Sequence, residues 1–339
     1  MIEWRREGGH GRRMSSHDLQ SSRRIWTEYW RGGRRGCLTE EAPASARGHI
    51  ENLWRCWFRQ LPRGARIIDL ATGAGDVARN ALYIGGESEL RFVIEGVDLA
   101  EFDGTVETEA SARGTTMRLQ GSIDLARLPF SNKSFDCAVS QFGIEYAHVE
   151  AACCELARVL KPTGGGLFLV HHRESEISTA AASRLQAFTS VIGNSAMLDS
   201  ARQVYEAISA RASQSLVAAR LQKFRQSLHA ALETHSLGYA WETNLREILG
   251  FLSDLARNPH IYDPFDALRR LDAARDMIAA WKSRQESQLA AALDENGMRA
   301  FADTHRRCGL NPLEISVVKD PANGTILAWR FAFAATGLA

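Results

Sequence analysis

The sequence predicts an α/β protein: a doubly wound parallel sheet interrupted by a long all-helical segment. Three observations carry that expectation. Short apolar runs alternate with helical patterns from residue 66 to residue 172, as strands joined by crossover helices do. From about 174 to 297 the character changes: no proline falls between Pro162 and Pro259, and Ala, Leu, Gln and Arg dominate. Beyond Asn311, two strand-like runs are joined by DPANGT, a hairpin turn signal.

Residues 1–20 are polar, with Arg5, Arg6, Arg12 and Arg13 among glycines and serines, and read as a disordered basic tail. From Asp18 to Arg31 the pattern turns helical and aromatic, with Ile25, Trp26, Tyr29 and Trp30. The stretch RGGRRG then breaks it. Tyr29 and Trp30 precede this glycine-rich hinge and are candidate lid residues facing a substrate. A second helix, about 45–60, sets Ile50, Leu53, Trp54, Trp57 and Phe58 on one broad face.

The organising stretch is RIIDLATGAGDVA, Arg66 to Ala78. An apolar run ends on Asp69, a small-residue loop follows from Ala71 to Gly75, and a helical pattern begins at Asp76. Gly73 and Gly75 let a ligand approach the backbone, and the helix start offers unpaired N–H groups. A phosphate-cradling Walker loop needs a Lys that is absent here. A dinucleotide fingerprint would place its third glycine at Ala78, where Ala is tolerated, so the loop by itself leaves NAD open.

The next apolar run, Phe92 to Val97, ends on Asp98. A carboxylate at that place accepts from both hydroxyls of a ribose. Strands are expected at about 116–121, 135–140 and 166–172, with a helix at 149–160 stopped by Pro162 and Gly164. In such a sheet the ligand lies at the strand C-termini. The all-helical segment reads as helices at about 177–192, 198–211, 213–236, 242–256 and 263–296, and a last helix spans Met298 to Cys308. Strands follow at 314–319 and 326–333. The α/β pattern thus resumes after the helices, which are therefore an insertion.

Composition is that of an ordinary globular chain: 339 residues, 45% hydrophobic, 24% charged, net charge +1. That balance gives no electrostatic case for nucleic acid. No apolar run is long enough to span a membrane, and no signal-peptide core is evident. Six cysteines show no metal-ligand spacing, so no metal and reduced cytoplasmic thiols are expected.

Four blocks, DLATGAGDVA (69–78), GVDL (96–99), LPFSNKSFD (128–136) and LARVLKPTGG (156–165), resemble class I S-adenosylmethionine-dependent methyltransferases. Over residues 45–173 they are most similar to the ubiquinone/menaquinone C-methyltransferase (methyltransferase type 11) group. The resemblance implies a Rossmann-like seven-stranded sheet with an antiparallel last strand, and the insertion between strands 5 and 6. It divides the chain into the tail (1–20), a cofactor-binding domain (21–173 and 298–339) and a helical insertion (174–297) for substrate or oligomerisation.

Carried over by position, the resemblance implies S-adenosylmethionine as cofactor. Asp69, Ala71, Thr72, Gly73 and Gly75 would hold its methionine end, with Ala71 replacing the motif's usual first glycine. Asp98 would bind the ribose, Leu99 would pack on the adenine, and Asp124 and Leu125 would contact its edge. Ser140 and Gln141 would line the transfer channel.

Methyl transfer from a sulfonium needs alignment and a dry site, plus a base where the acceptor loses a proton. His171 and His172 end the fifth strand, and successive strand residues point to opposite sides, so one of them faces the crevice as a candidate base. Glu145, Tyr146 and His148 are further candidates, the first two also for substrate contact. The fourth strand ends in SQFG, with no Pro-Pro loop for a flipped base. A small-molecule acceptor, methylated on O, C or N, is therefore expected, possible self-association through the helices included. An RNA or protein methyltransferase, or a non-catalytic cofactor-binding interaction protein, are the alternatives.

Overall fold

Strand and helix alternate along the chain to build one sheet. The computed structural model describes residues 16–31, 43–102, 109–192, 196–235 and 243–335. They fall into two compact units, Met1–Thr179 with Ser287–Ala339, and Ala180–Glu286.

The first unit begins with α1 (Ser16–Arg31) and α2 (Ala44–Phe58). Residues 16–20 are thus helix rather than tail; residues 1–15, and the glycine-rich hinge at 32–36, lie outside the described residues. There follow β1 (Arg66–Leu70), α3 (Asp76–Glu87), β2 (Val93–Val97), β3 (Glu109–Ala112), β4 (Thr115–Gln120), β5 (Phe135–Gln141), α4 (Val149–Val159) and β6 (Leu160–Val170). After the helices α5 (Glu176–Ile192), α6 (Ala196–Ser209), α7 (Gln214–His235), α8 (Thr243–Arg257) and α9 (Pro264–Ala291) come α10 (Glu295–Arg307), β7 (Leu310–Lys319) and β8 (Ile326–Ala335).

The sheet order is β3-β4-β2-β1-β5-β6-β8-β7, eight strands rather than the expected seven. β4, β2, β1, β5 and β6 run parallel, and β8, last in the sequence, lies antiparallel between β6 and β7. The additional strand, β3, pairs antiparallel with β4 through a two-residue turn at Arg113 and Gly114. Both turn residues have positive φ, 47° and 84°, the twist that a tight hairpin requires.

Alternate residues of each strand feed two apolar layers. Ile67, Ile94 and Leu167 pack with Trp54 and Phe58 of α2 and with Ala81 and Ile84 of α3. Ile68, Val97 and Phe168 pack with Leu156 of α4 and Phe301 of α10. Each fully buried phenylalanine here contributes about 1.5–3 kcal/mol. With both faces covered, the strand C-termini are where a ligand can reach the sheet.

The helix expected over 263–296 is interrupted. The chain leaves α9 after Ala291, and Asp294 caps α10 by accepting from the Gly297 N–H at 2.8 Å. Between them Leu293 extends the edge of β6: its N–H donates to the His171 carbonyl, and its own carbonyl accepts from the Arg173 N–H. The second unit has its own core, in which Val204, Tyr205, Phe224, Leu252 and Leu271 are buried and Phe188 stacks on Trp281 at 4.3 Å.

Candidate functional site

The turn after β1 is held by a buried carboxylate. Asp69 Oδ2 accepts from the Thr72 hydroxyl at 2.5 Å and from the Ala78 N–H at 3.2 Å, tying strand end to helix start. Burial pushes its pKa up to about 7, against the pull of those two hydrogen bonds. Ala71, Gly73 and Gly75 all take positive φ, at 51°, 54° and 90°. Ala71 is strained there, and its methyl is accommodated because the facing residue is Gly143, whose added Cβ would lie 2.6 Å from it.

Asp98, at the end of β2, reaches across to the same turn. Its Oδ2 accepts from the Gly73 N–H at 2.7 Å and its Oδ1 from the Ala100 N–H at 2.8 Å. Burial again raises its pKa. Asp124 accepts from the Ala126 N–H at 2.9 Å, shaping the turn that presents Leu125.

These residues line one cavity of about 710 Å³ in the first unit. Asp69, Ala71, Thr72, Asp98, Leu99, Asp124, Leu125 and Gln141 are on its wall, as are Trp30, Glu145 and Tyr146. That volume lies in the range of small-molecule sites. Gly73, Gly75, Ser140 and Tyr29 are not among its lining residues. Gly73 lies under Trp30, and Ser140 is consumed internally, donating to the Leu70 carbonyl and accepting from the Ile144 N–H. Tyr29 braces Trp26 and Trp30 by edge-on contacts at 5.8 and 4.8 Å.

α1 covers the Gly73 end of the cavity. Trp26 meets Tyr146 edge-on at 5.1 Å, and the Thr27 hydroxyl accepts from the Glu101 N–H at 2.9 Å. Trp26 went unassigned from the sequence, although it shares a helix face with Trp30. Gln141 is fixed from behind: the Trp54 indole N–H donates to its Oε1 at 2.5 Å. An indole can only donate, so the Gln141 amide nitrogen is the atom left for the cavity.

His171 and His172 are displaced from the role expected of them, because among the described residues lining the cavity neither occurs. His171 is buried, stacked on Phe142 at 4.5 Å, and burial drives its pKa down to about 3. His172 stacks on Trp329 at 4.5 Å, and its Nδ1 accepts from the Glu174 N–H. What reaches the cavity is Glu145. Its Oε1 accepts from the His171 N–H at 2.8 Å, and among the described residues its Oε2 has no hydrogen-bond partner. Burial raises this carboxyl to about 7. His148 also lines the cavity, but its Nδ1 caps α4 by accepting from the Ala151 N–H at 3.3 Å. Ser287, Ala290 and Ala291 of α9 complete the wall without any sequence signal of their own. Among the described residues no cluster of His, Cys, Asp or Glu suited to a metal occurs.

Residues 68–169 match the family model of a methyltransferase domain. That segment is a methyltransferase domain. The methyltransferase domain is similar to the ubiquinone/menaquinone biosynthesis C-methyltransferase UbiE of Pseudomonas fluorescens, 31% identical over 132 residues, covering 36% of this chain and 48% of that protein. The protein of the same name from Pseudomonas paraeruginosa is 28% identical, over 38% and 51%. The chain thus spans about half the length of the curated relatives it matches. Among solved structures, the 1,6-didemethyltoxoflavin-N1-methyltransferase of Burkholderia thailandensis aligns over 97% of this chain and 93% of that one, with 12% identity and a TM-score of 0.45.

Proposed function

We propose that this protein transfers a methyl group from S-adenosylmethionine to a small molecule that gives up a proton on methylation. The observation that carries the proposal is the meeting, around one cavity, of the turn at 69–78, Asp98 and Glu145, whose buried Oε2 has no hydrogen-bond partner among the described residues. The residues present fit the cofactor. Asp98 would hold the ribose hydroxyls, Asp124 and Leu125 the adenine, and Asp69 with the 71–75 backbone the methionine end.

When bound, S-adenosylmethionine supplies a methyl group activated for in-line displacement. The protein's part is placement and proton handling. Trp26, Trp30 and Tyr146 wall the cavity with aromatic surface that excludes water. Glu145 Oε2 accepts the proton lost by the acceptor, and a carboxyl near 7 is partly ionised at neutral pH. The Glu145 Oε1 is held by backbone, so the carboxylate keeps its orientation as it gains the proton. The helical segment 174–297 we assign to acceptor selection or self-association, which a molar-mass measurement in solution distinguishes.

Calorimetric titration with S-adenosylmethionine, its demethylated product and NAD tests the first half. Binding of NAD alone overturns the proposal. A methyl-transfer screen over phenols, amines and acidic carbon acids tests the second, with Glu145→Gln as the control. The variant should bind the cofactor normally and lose at least about tenfold in kcat. Salt-sensitive transfer to RNA in place of small molecules would favour the nucleic-acid alternative.

A further inference from the structure

A second reactive cluster lies away from the cavity, where α4 meets the end of α10. α4 carries Cys153 and Cys154, and Cys308 is the residue that ends α10. The sulfurs of Cys154 and Cys308 are 3.0 Å apart, and as a thiol Cys308 donates to the Glu150 carbonyl at 3.7 Å. Cys154 is exposed and Cys308 partly so, and both are free thiols.

The third sulfur is held out of the reaction. Cys153 is buried, with its sulfur 3.4 Å from Nε2 of His305. His305 Nδ1 lies 2.8 Å from the Phe301 carbonyl, which can only accept, so Nδ1 carries the hydrogen and Nε2 is an acceptor. Burial drives His305 down to about 4, so it is neutral near pH 7 and Cys153 is its donor. Cys153 therefore keeps its proton, and the neighbouring Cys308 together with burial raises its pKa further. The opposite holds at Cys308. The neighbouring protonated Cys153, the Cys154 thiol that donates to it and the nearby Arg307 guanidinium outweigh burial and the Glu150 charge and draw it down to about 6.

We propose that Cys154 and Cys308 form an oxidisable dithiol, a modification site that reacts with a hydroperoxide and closes to a reversible disulfide between α4 and the end of α10. The Cys308 thiolate attacks the terminal peroxide oxygen. The O–O bond breaks, its electron pair leaves on the second oxygen, which takes up a proton as water or an alcohol, and Cys308 becomes a sulfenic acid. The Cys154 sulfur then attacks the Cys308 sulfur. An S–S bond forms, the S–O bond breaks, and the hydroxide leaves as water with the proton from Cys154. The thiols lose two electrons and the peroxide gains them. Closure brings the sulfurs roughly 1 Å closer to reach bonding distance, which side-chain rotation supplies. The crosslink fixes the helix whose N-terminal end, at His148 and Ala151, lines the cavity.

The test uses the reduced full chain, hydrogen peroxide, and peptide mapping by mass spectrometry. One molar equivalent of peroxide should convert two thiols to a Cys154–Cys308 crosslink, restored by dithiothreitol. The reaction should run about tenfold faster at pH 7 than that of an ordinary exposed thiol, whose thiolate is a few per cent populated, and slow below pH 6. Cys153→Ser should still form the crosslink. Cys154→Ser should stop at a Cys308 sulfenic acid that dimedone traps. A crosslink through Cys153, an intermolecular disulfide in its place, or unaltered thiols overturns the proposal. None of these readouts depends on methyl transfer, so the dithiol stands or falls separately from the proposed activity.

Discussion

The indole ring of Trp30 occupies the space that a side chain on Gly73 would need. Gly73 is thus required twice, once for its φ of 54° and once for the aromatic roof that α1 places over it. Gly73→Ala should strain the turn and displace Trp30. A loss of at least about tenfold in S-adenosylmethionine affinity by calorimetry is expected, with a stability loss of roughly 1–3 kcal/mol in urea unfolding. Unchanged affinity would mean that the roof has no part in holding the cofactor.

Ala71 and Gly143 form a second such pair. Gly143→Ala should cost about 1–3 kcal/mol, because two Cβ atoms would meet at 2.6 Å. Ala71→Gly alone should be nearly neutral, since relief of strain offsets the greater freedom of the unfolded chain. Combined, the two changes should show a favourable coupling of about 1 kcal/mol or more in a double-mutant cycle. Strict additivity would disprove the contact.

Glu145 should leave a mark on stability as well as on catalysis. Its folded pKa, raised to about 7, exceeds the ordinary unfolded value near 4.3, so it favours folding most below that lower value. The contribution is lost as pH rises from about 4 through 7. His171 acts in the opposite sense: its pKa is depressed to about 3, so its contribution is full above about 6.5 and falls as the solution is acidified. Glu145→Gln keeps the histidine, so the comparison isolates the carboxyl. Relative to the variant, the native protein should lose on the order of 3 kcal/mol between pH 4.5 and pH 8 in urea unfolding. A difference independent of pH would refute the assignment.

Trp54→Phe tests the support behind Gln141. The ring volume is largely kept but the N–H is lost, leaving the Gln141 oxygen without its donor. About 1–2 kcal/mol of stability should go, together with a several-fold loss of cofactor affinity. If affinity holds while stability falls, Gln141 is a structural residue only.

Much of the cavity wall was legible because strand ends are. Asp69 and Asp98 each close an apolar run, and a carboxylate there has few places to go other than the crevice. The eighth strand was hidden by its turn, since Arg113 adopts a left-handed conformation usually reserved for Asn, Asp or Gly. The histidines misled for a different reason. Alternation says that His171 and His172 face opposite layers, but both layers of a doubly wound sheet are covered, so opposite sides are both interior. Glu145 could be named as a candidate yet not preferred, because its free oxygen depends on the His171 backbone holding the other one.

The placement of β8 has a consequence for how the polypeptide is made. Leu167 and Phe168 on β6 find their partners in Ala332 and Phe331 on β8, and everything between must be synthesised first. At ribosomal speed that takes on the order of ten seconds, during which the nascent β6 has an open edge. The helices that emerge in that interval can collapse around their own Tyr205 and Phe224 core without waiting for the sheet. The insertion is therefore also a timer: its length sets how long the unfinished sheet is exposed to wrong partners during synthesis, and shortening it should shorten that exposure.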